Sequence, residues 1–117
     1  MKASNPLLRY TTVMLERAGK KQKAPIWAEA SSLLSNPSRT RVEVNLGRIS
    51  RIAEDGQVFF VPGKVLGTGV MERKVTVGAF AFSAGAKSKI EASGGSALSV
   101  EQFLKKYPKG SGVTLVK

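Results

Sequence analysis

The stretch FFVPGKVLGTGV, residues 59–70, contains the residue types that surround phosphate groups in nucleotide-binding enzymes. An apolar run leads into Gly63 and Lys64, and glycine-rich turns that follow strands often hold phosphates with their backbone amides. A Walker loop has another glycine five residues before such a Gly-Lys pair and a Ser or Thr directly after it. This sequence has Val58 and Val65 at those two positions, so the hydroxyl that would bind magnesium is missing.

Two further glycines in the same stretch, Gly67 and Gly69, match the beginning of the dinucleotide-binding pattern GxGxxG. The third glycine of that pattern would be residue 72, which is Glu72, and its carboxylate would repel a pyrophosphate. Both motifs therefore lack a residue that their chemistry needs. Gly63, Gly67 and Gly69 instead allow the close approach of another backbone, either an RNA strand or the chain itself in a tight turn under a helix.

Few residues of the chain are suited to catalysis. The sequence contains no Cys and no His, which excludes thiol nucleophiles, imidazole acid–base catalysis, Ser-His-Asp triads and thiolate metal sites. Glu54 and Asp55 are adjacent carboxylates, but Gly56 follows them directly, a pattern typical of an exposed turn. We therefore predict a protein that is not an enzyme and has no catalytic residue, metal site or cofactor.

Positive charge is the strongest signal in the composition. The chain has 19 Lys and Arg against 8 Asp and Glu, a formal net charge of +11, and basic residues occur from Lys2 to Lys117. Such an excess within a folded body costs self-repulsion unless a polyanion neutralises it, so a nucleic-acid partner is favoured. The alternative is that the charge only keeps the protein soluble.

The most basic stretch is NPSRTRVEVNLGRISR, residues 36–51, which contains four arginines and one glutamate. Arg48 and Arg51 are three residues apart and would share one face of a short helix, where guanidinium groups match phosphate oxygens. For these arginines, and for the basic run KKQK at residues 20–23, the alternative is a solvated surface. The predicted RNA contacts are Lys20, Lys21, Lys23, Arg39, Arg41, Arg48, Arg51, Lys64, Arg73 and Lys74.

An α/β fold is predicted to position these residues. Asn5-Pro6 indicates the start of a first helix, which Gly19 would end in a left-handed conformation, and Pro25 indicates the start of a second. The later elements are predicted as a strand at 42–44, a helix capped by Asn45, a strand at 58–61 stopped by Pro62-Gly63 and a strand at 74–82. A helix capped by Ser83, a short strand at 97–98, a helix that starts with a capping box of Ser99 and Gln102, and a strand at 112–117 are predicted to follow. We expect one domain, residues 1–117, in which two helices within 1–35 precede a small irregular β/α core with a short sheet, 36–117.

The apolar residues predict one modest core and no membrane span. Trp27 is the only tryptophan, and its Ile and Leu neighbours favour a core or interface position, with a base-stacking platform as the alternative. No apolar run approaches the ~20 residues that span a bilayer. The N-terminal sequence MKASNPLLRY lacks the apolar stretch of a signal peptide, so we expect a cytosolic protein.

Two motifs, VNLGRI at residues 44–49 and VPGKVLGTG at residues 61–69, resemble the large-subunit ribosomal protein family eighteen-e of archaea and eukaryotes. That family is related to bacterial large-subunit protein fifteen. The resemblance covers essentially the whole chain, including AGAKSKIEASGG and the closing GSGVTLVK. By position, the basic stretch of the family corresponds to Arg39, Arg41, Arg48 and Arg51, and its glycine loop to Gly63, Lys64, Gly67 and Gly69.

The resemblance implies a structural constituent of the large ribosomal subunit that binds and stabilises large-subunit ribosomal RNA by phosphate contacts. Neighbouring large-subunit ribosomal proteins would be further partners in the cytoplasmic ribosome, with no membrane and no small-molecule substrate. Two other functions remain open from the residues themselves. One is a free basic RNA or DNA chaperone outside the ribosome, and the other is a small phosphate-ligand enzyme that uses the loop from Gly63 to Gly69.

Overall fold

The computed structural model, which describes residues 6–37 and 41–117, begins with two helices. Five strands and three short helices follow in these residues, and two of the strands, Val58–Leu66 and Thr76–Phe82, are joined by a loop with no helix between them. This mixed α/β architecture, with its two leading helices, confirms the predicted fold class. The elements in chain order are α1 (Pro6–Gln22), α2 (Pro25–Leu34), β1 (Val42–Asn45), α3 (Leu46–Ile52), β2 (Val58–Leu66), β3 (Thr76–Phe82), α4 (Ala84–Ala92), β4 (Ser96–Leu98), α5 (Val100–Lys106) and β5 (Val113–Leu115).

The described strands form one sheet in which every pairing is parallel, with β2 at its centre. On one side β2 pairs with β3, and β3 pairs with β4. On its other side the first half of β2 pairs with β5, where Phe60 is opposite Leu115, and the second half pairs with β1, where Val65 is opposite Val44. Helices cover both faces of the sheet. The strands of a parallel sheet are apolar on both faces, so both faces must be buried.

The prediction that Pro62-Gly63 stops the second strand is wrong, because β2 continues to Leu66. The ladder between β2 and β3 shifts register between Val61 and Lys64. At the same position the partner on the other side changes from β5 to β1. Proline has no N–H to donate, and it is tolerated inside β2 because regular pairing is already interrupted there.

The first face of the sheet packs against α3 and α4. Leu46 and Ile49 of α3 and Ile90 of α4 are fully buried there, together with Phe59 and Val77 from the strands. Ser83 caps α4, as predicted, since its side chain accepts a hydrogen bond from the Ala86 amide. This face therefore fixes α3, the helix that carries two of the predicted RNA-binding arginines.

The second face packs against α1, α2 and α5 around Trp27. The indole is fully buried, lies edge-on to the rings of Phe60 (5.3 Å between centroids) and Phe103 (5.9 Å), and donates from Nε1 to the Pro108 carbonyl at 2.8 Å. Such edge-to-face contacts stabilise aromatic cores. Trp27 is thus a core residue, as predicted, and its ring has no face free for a base.

The turn between α1 and α2 corrects a second prediction. Gly19 does not end α1, which continues to Gln22, and the left-handed residue is Lys23, with φ of 52°. Gly19 is buried because α2 crosses it closely: a Cβ at this position would lie 3.1 Å from the Ala28 amide nitrogen. The glycine is needed for helix packing, a tertiary effect that local stop signals do not reveal.

Candidate nucleic-acid interface

The loop between β2 and β3 carries the glycine-rich motif and is bound to α3. The Gly47 amide donates to the Thr68 carbonyl at 3.0 Å, and the Glu72 amide donates to Ser50 Oγ at 3.2 Å. Gly69 has a φ of +102°, and a Cβ there would lie 2.6 Å from the Gly47 Cα. Only glycine satisfies both conditions, so this loop and the beginning of α3 hold one another in place.

Lys89 of α4 binds the same loop from the other side. Its Nζ donates to the carbonyls of Gly67 and Gly69, both at 2.7 Å. Hydrogen bonds from a charged donor are stronger than neutral ones, so this lysine clamps the loop carbonyls. Sequence reasoning missed Lys89, because nothing in its own helix indicates that its partners are 20 and 22 residues away.

The three predicted backbone-approach glycines all face the chain's own backbone. A Cβ at Gly63 would lie 2.0 Å from the Val42 carbonyl oxygen, and one at Gly67 would lie 2.9 Å from the Ala86 amide nitrogen. Gly69 faces Gly47, as described above. Packing within the protein therefore explains why these positions are glycine, and their approach to RNA stays a prediction.

Arg48 and Arg51 are exposed on α3 and border a cleft of about 370 Å³. The described residues that line this cleft, here called the α3 cleft, are Glu43, Val44, Asn45, Gly47, Arg48, Arg51, Thr68 and Gly69. Glu43 is the one acidic residue among them. Lys64 on β2 pairs with Glu43 in the β1–β2 ladder and is also exposed. It therefore adds a further cation beside the cleft.

The other two arginines of the basic stretch differ from this pair. Arg41 is half-buried, and its Nε and Nη2 both donate to the Asn36 carbonyl, at 3.4 and 3.3 Å. It therefore ties the end of α2 to the beginning of β1. Arg39 lies outside the described residues.

Arg73 and Lys74 follow the loop as it leads into β3, and both side chains are exposed. Their backbone is held by two hydrogen bonds: Ser93 Oγ donates to the Arg73 carbonyl at 3.2 Å, and the Lys74 amide donates to Asp55 Oδ1 at 2.9 Å. The residue before them, Glu72, is hydrogen-bonded to Ser50 of α3. Arg73 and Lys74 therefore lie at the point where the loop moves away from α3.

Lys20, Lys21 and Lys23 form a separate group at the turn between α1 and α2, and all three are exposed. Lys20 makes a surface ion pair with Glu16 at 3.8 Å, a contact that contributes little to stability. None of the contacts between described residues brings this group to the α3 cleft. The predicted cations thus form two sets. One lies along α3 and the loop between β2 and β3, and the other lies on the helical hairpin, here meaning α1, α2 and the turn that joins them.

Two other classes of site are absent from the described parts of the chain. No group of three or more His, Cys, Asp or Glu within residues 6–37 and 41–117 is placed to hold a metal ion. None of the helices in these ranges combines the length and apolar character needed to cross a bilayer.

Comparison with known proteins identifies the family. The sequence model that describes the ribosomal proteins 50S-L15 and 50S-L18e, together with their 60S counterpart, matches residues 43–98. The large ribosomal subunit protein eL18 of Methanococcus maripaludis is 45% identical over 97% of this chain and 95% of its own length. The chain belongs to the eL18 family. Its relatives include eL18 of Archaeoglobus fulgidus, 41% identical over 99% of both chains, and eL18 of Haloarcula marismortui, 40% identical over the full length of both.

Membership of the eL18 family confirms the resemblance that the two motifs indicated. It also confirms that the chain is not an enzyme, since this family consists of ribosomal structural proteins. The range matched by the family model, residues 43–98, begins in β1 and ends with β4. It therefore contains the whole α3 cleft and the clamped loop, whereas the lysines of the helical hairpin lie outside it.

Proposed function

We propose that this chain is a structural constituent of the large ribosomal subunit and stabilises large-subunit ribosomal RNA by binding its phosphates at the α3 cleft. The observation that carries the proposal is the pair of exposed guanidinium groups, Arg48 and Arg51, beside a cleft that the fixed loop also lines through Thr68 and Gly69. The relatives named above are large ribosomal subunit proteins, and they align with nearly the whole chain.

The chemistry of the cleft suits phosphate rather than a neutral ligand. Guanidinium groups bind phosphate oxygens with two parallel hydrogen bonds and stay charged at any physiological pH. Glu43 lies in the same cleft and repels anions, so a bound phosphate would lie on the arginine side, away from this carboxylate. Lys64, Arg73 and Lys74 extend the cationic surface along the sheet and the loop.

A fixed scaffold makes these contacts specific for the shape of a folded RNA. The loop is clamped by Lys89 and by its bonds to α3, so little conformational entropy is lost when RNA binds. Structured RNA is recognised mainly through its shape and its phosphate and 2′-hydroxyl groups. Release of counterions from the neutralised phosphates would supply much of the affinity.

Within this proposal the chain acts in the cytoplasm as part of an assembled ribosome, beside other large-subunit proteins. Residues 1–117 would form one domain, with the helices of residues 1–35 as an extension of the core. Sedimentation distinguishes this from a free RNA or DNA chaperone. In a low-salt lysate the protein should sediment with the large subunit, and recovery only in the light fractions would contradict the proposal.

The decisive experiment is binding and footprinting on isolated large-subunit RNA with the double variant Arg48→Gln/Arg51→Gln. Both side chains are exposed, so thermal unfolding of the free protein should change little, while affinity should fall about 10-fold or more. Arg41 is left intact because it holds the Asn36 carbonyl. Protection of specific phosphates should disappear in the variant.

A matched control removes the same charge elsewhere. Lys105→Gln/Lys106→Gln also loses two exposed cations, but from α5 on the other face of the sheet. If the two double variants weaken binding equally, only net charge matters and the α3 cleft is not the site. Unfolding of the α3 variant would instead assign the arginines to the fold.

A further inference from the structure

A second surface, on α1, carries an exposed aromatic ring between two arginines. We propose that this surface binds an unpaired RNA nucleotide, whose base stacks on Tyr10 while Arg9 and Arg17 hold the flanking phosphates. The proposal rests on the proposed function only in that the partner is RNA. The surface belongs to a different helix, which lies outside the range matched by the family model. It would bind single-stranded rather than folded RNA.

The ring of Tyr10 is placed for stacking by the periodicity of α1. Thr11, Leu15 and Gly19 form its buried stripe, and Tyr10 lies outside that stripe and is 57% exposed. It borders a hollow of about 520 Å³, whose described lining is Pro6, Arg9, Tyr10, Val13, Met14 and Arg17. That volume lies within the range of pockets that hold small ligands, roughly 300–1,000 Å³.

A second, smaller hollow shows where Tyr10 lies relative to the sheet. Tyr10 also borders a space of about 120 Å³ whose lining includes Phe80 of β3 and Val100 of α5. The ring therefore stands at the edge of the contact between α1 and the second face of the sheet. Because Tyr10 is 57% exposed and borders open space, its ring is accessible to an unpaired base, as stacking requires.

Charge decides between RNA and a protein as the occupant. The described lining of the larger hollow contains two arginines and no carboxylate. Single-stranded nucleic acid is bound by this combination of an aromatic ring for the base and cations for the backbone. A protein docking on these apolar residues would also have to bury both guanidinium groups, whereas RNA supplies the phosphates that pair with them.

Two RNA probes test the proposal on the full-length protein: an oligoadenylate of about 12 nucleotides and a blunt RNA duplex of the same length. Tyr10→Ala should weaken oligoadenylate binding by about 5- to 100-fold and leave duplex binding unchanged, because only the unpaired base stacks. Tyr10→Phe keeps the ring and should bind both probes normally. Alanine is a strong helix former, so α1 should remain intact, which circular dichroism verifies.

Matched controls separate stacking from other effects. Ile52→Ala removes another exposed apolar side chain, on α3, and should leave oligoadenylate binding unchanged. Arg9→Gln/Arg17→Gln should weaken both probes and reduce the slope of log affinity against log salt by about 2. This set is independent of the α3 cleft, because failure of the Arg48→Gln/Arg51→Gln test would leave the Tyr10 results standing.

Three outcomes would overturn the proposal. Tyr10→Ala could bind oligoadenylate as tightly as the parent protein, or lose affinity for both probes equally. Tyr10→Phe could be as weak as Tyr10→Ala, which would assign the contact to the hydroxyl rather than to the ring. If Tyr10→Ala binds oligoadenylate normally but no longer sediments with the large subunit, the occupant is a neighbouring protein.

Discussion

Gly63 of β2 lies directly against β1, opposite Val42. A Cβ at this position would lie 2.0 Å from the Val42 carbonyl oxygen, and this oxygen belongs to backbone that cannot move without disturbing the ladder. Gly63 is also the second half of the Pro-Gly pair at which β2 changes partners. The residue that first resembled part of a phosphate loop is therefore a structural requirement of the sheet.

This geometry predicts the effect of a single methyl group. Gly63→Ala should destabilise the protein by roughly 1–3 kcal/mol, the usual cost of overpacking. Gly85→Ala is the matched control: nothing lies within 4 Å of its Cβ position, and it lies in the first turn of α4. That change should stabilise by about 0.4–1 kcal/mol, because alanine restricts the unfolded chain. Urea unfolding with constant m-values measures both, and equal midpoints for the two variants would refute the packing argument.

Helix starts were predictable at the scale of the elements, because the chemistry of a cap is local. Ser99 and Gln102 form the predicted capping box, with the Gln102 amide 3.3 Å from Ser99 Oγ and the Ser99 amide 3.0 Å from Gln102 Oε1. All four interacting groups lie within four residues, so the sequence alone specifies them. The same holds for Ser83 at the start of α4. Asn45 precedes α3 as predicted, but its side chain makes no capping hydrogen bond, so the prediction of that cap is wrong.

Two further predictions failed because they depended on distant partners. Gly19 is a local signal for a helix end, but it is needed here because α2 packs against it. Pro62-Gly63 is a local signal for a strand end, but β2 continues because β1 and β3 pair with the residues that follow. For the candidate site, the exposed arginines of α3 were predictable from spacing and charge. Lys89 was not, since its two acceptors become neighbours only after β3 and α4 have folded back on the loop.

Burial of Trp27 gives a test of how α1 and α2 behave before assembly. If the helices pack on the sheet in the free protein, the only tryptophan is fully buried among Phe60 and Phe103. In the absence of RNA, the tryptophan emission should then be blue-shifted and only weakly quenched by acrylamide. On unfolding, the emission wavelength and the quenching should change together with the loss of far-ultraviolet circular dichroism. Red-shifted, strongly quenched emission from the folded protein would show that the helices pack only upon assembly.

At the scale of the whole molecule, few of the cations in residues 6–37 and 41–117 form ion pairs within the chain. Between described residues, the side-chain ion pairs are Lys20 with Glu16 and Lys117 with Glu29, and both involve exposed groups. The net charge is +11. The remaining cations therefore repel one another in the free protein, and this repulsion decreases when a polyanion binds.

This uncompensated charge predicts a steep dependence of RNA affinity on salt. If about 6–10 phosphates are neutralised, affinity for large-subunit RNA should fall roughly 10³–10⁵-fold between 50 and 200 mM salt. The measurement is a titration at several salt concentrations, with thermal unfolding of the free protein at each concentration to show that the fold is unchanged. Because salt screens the repulsion among the cations, that unfolding temperature should hold steady or rise. An affinity that stays constant across this range would mean that phosphate neutralisation does not drive binding, and the complex would then depend on apolar and hydrogen-bonded contacts.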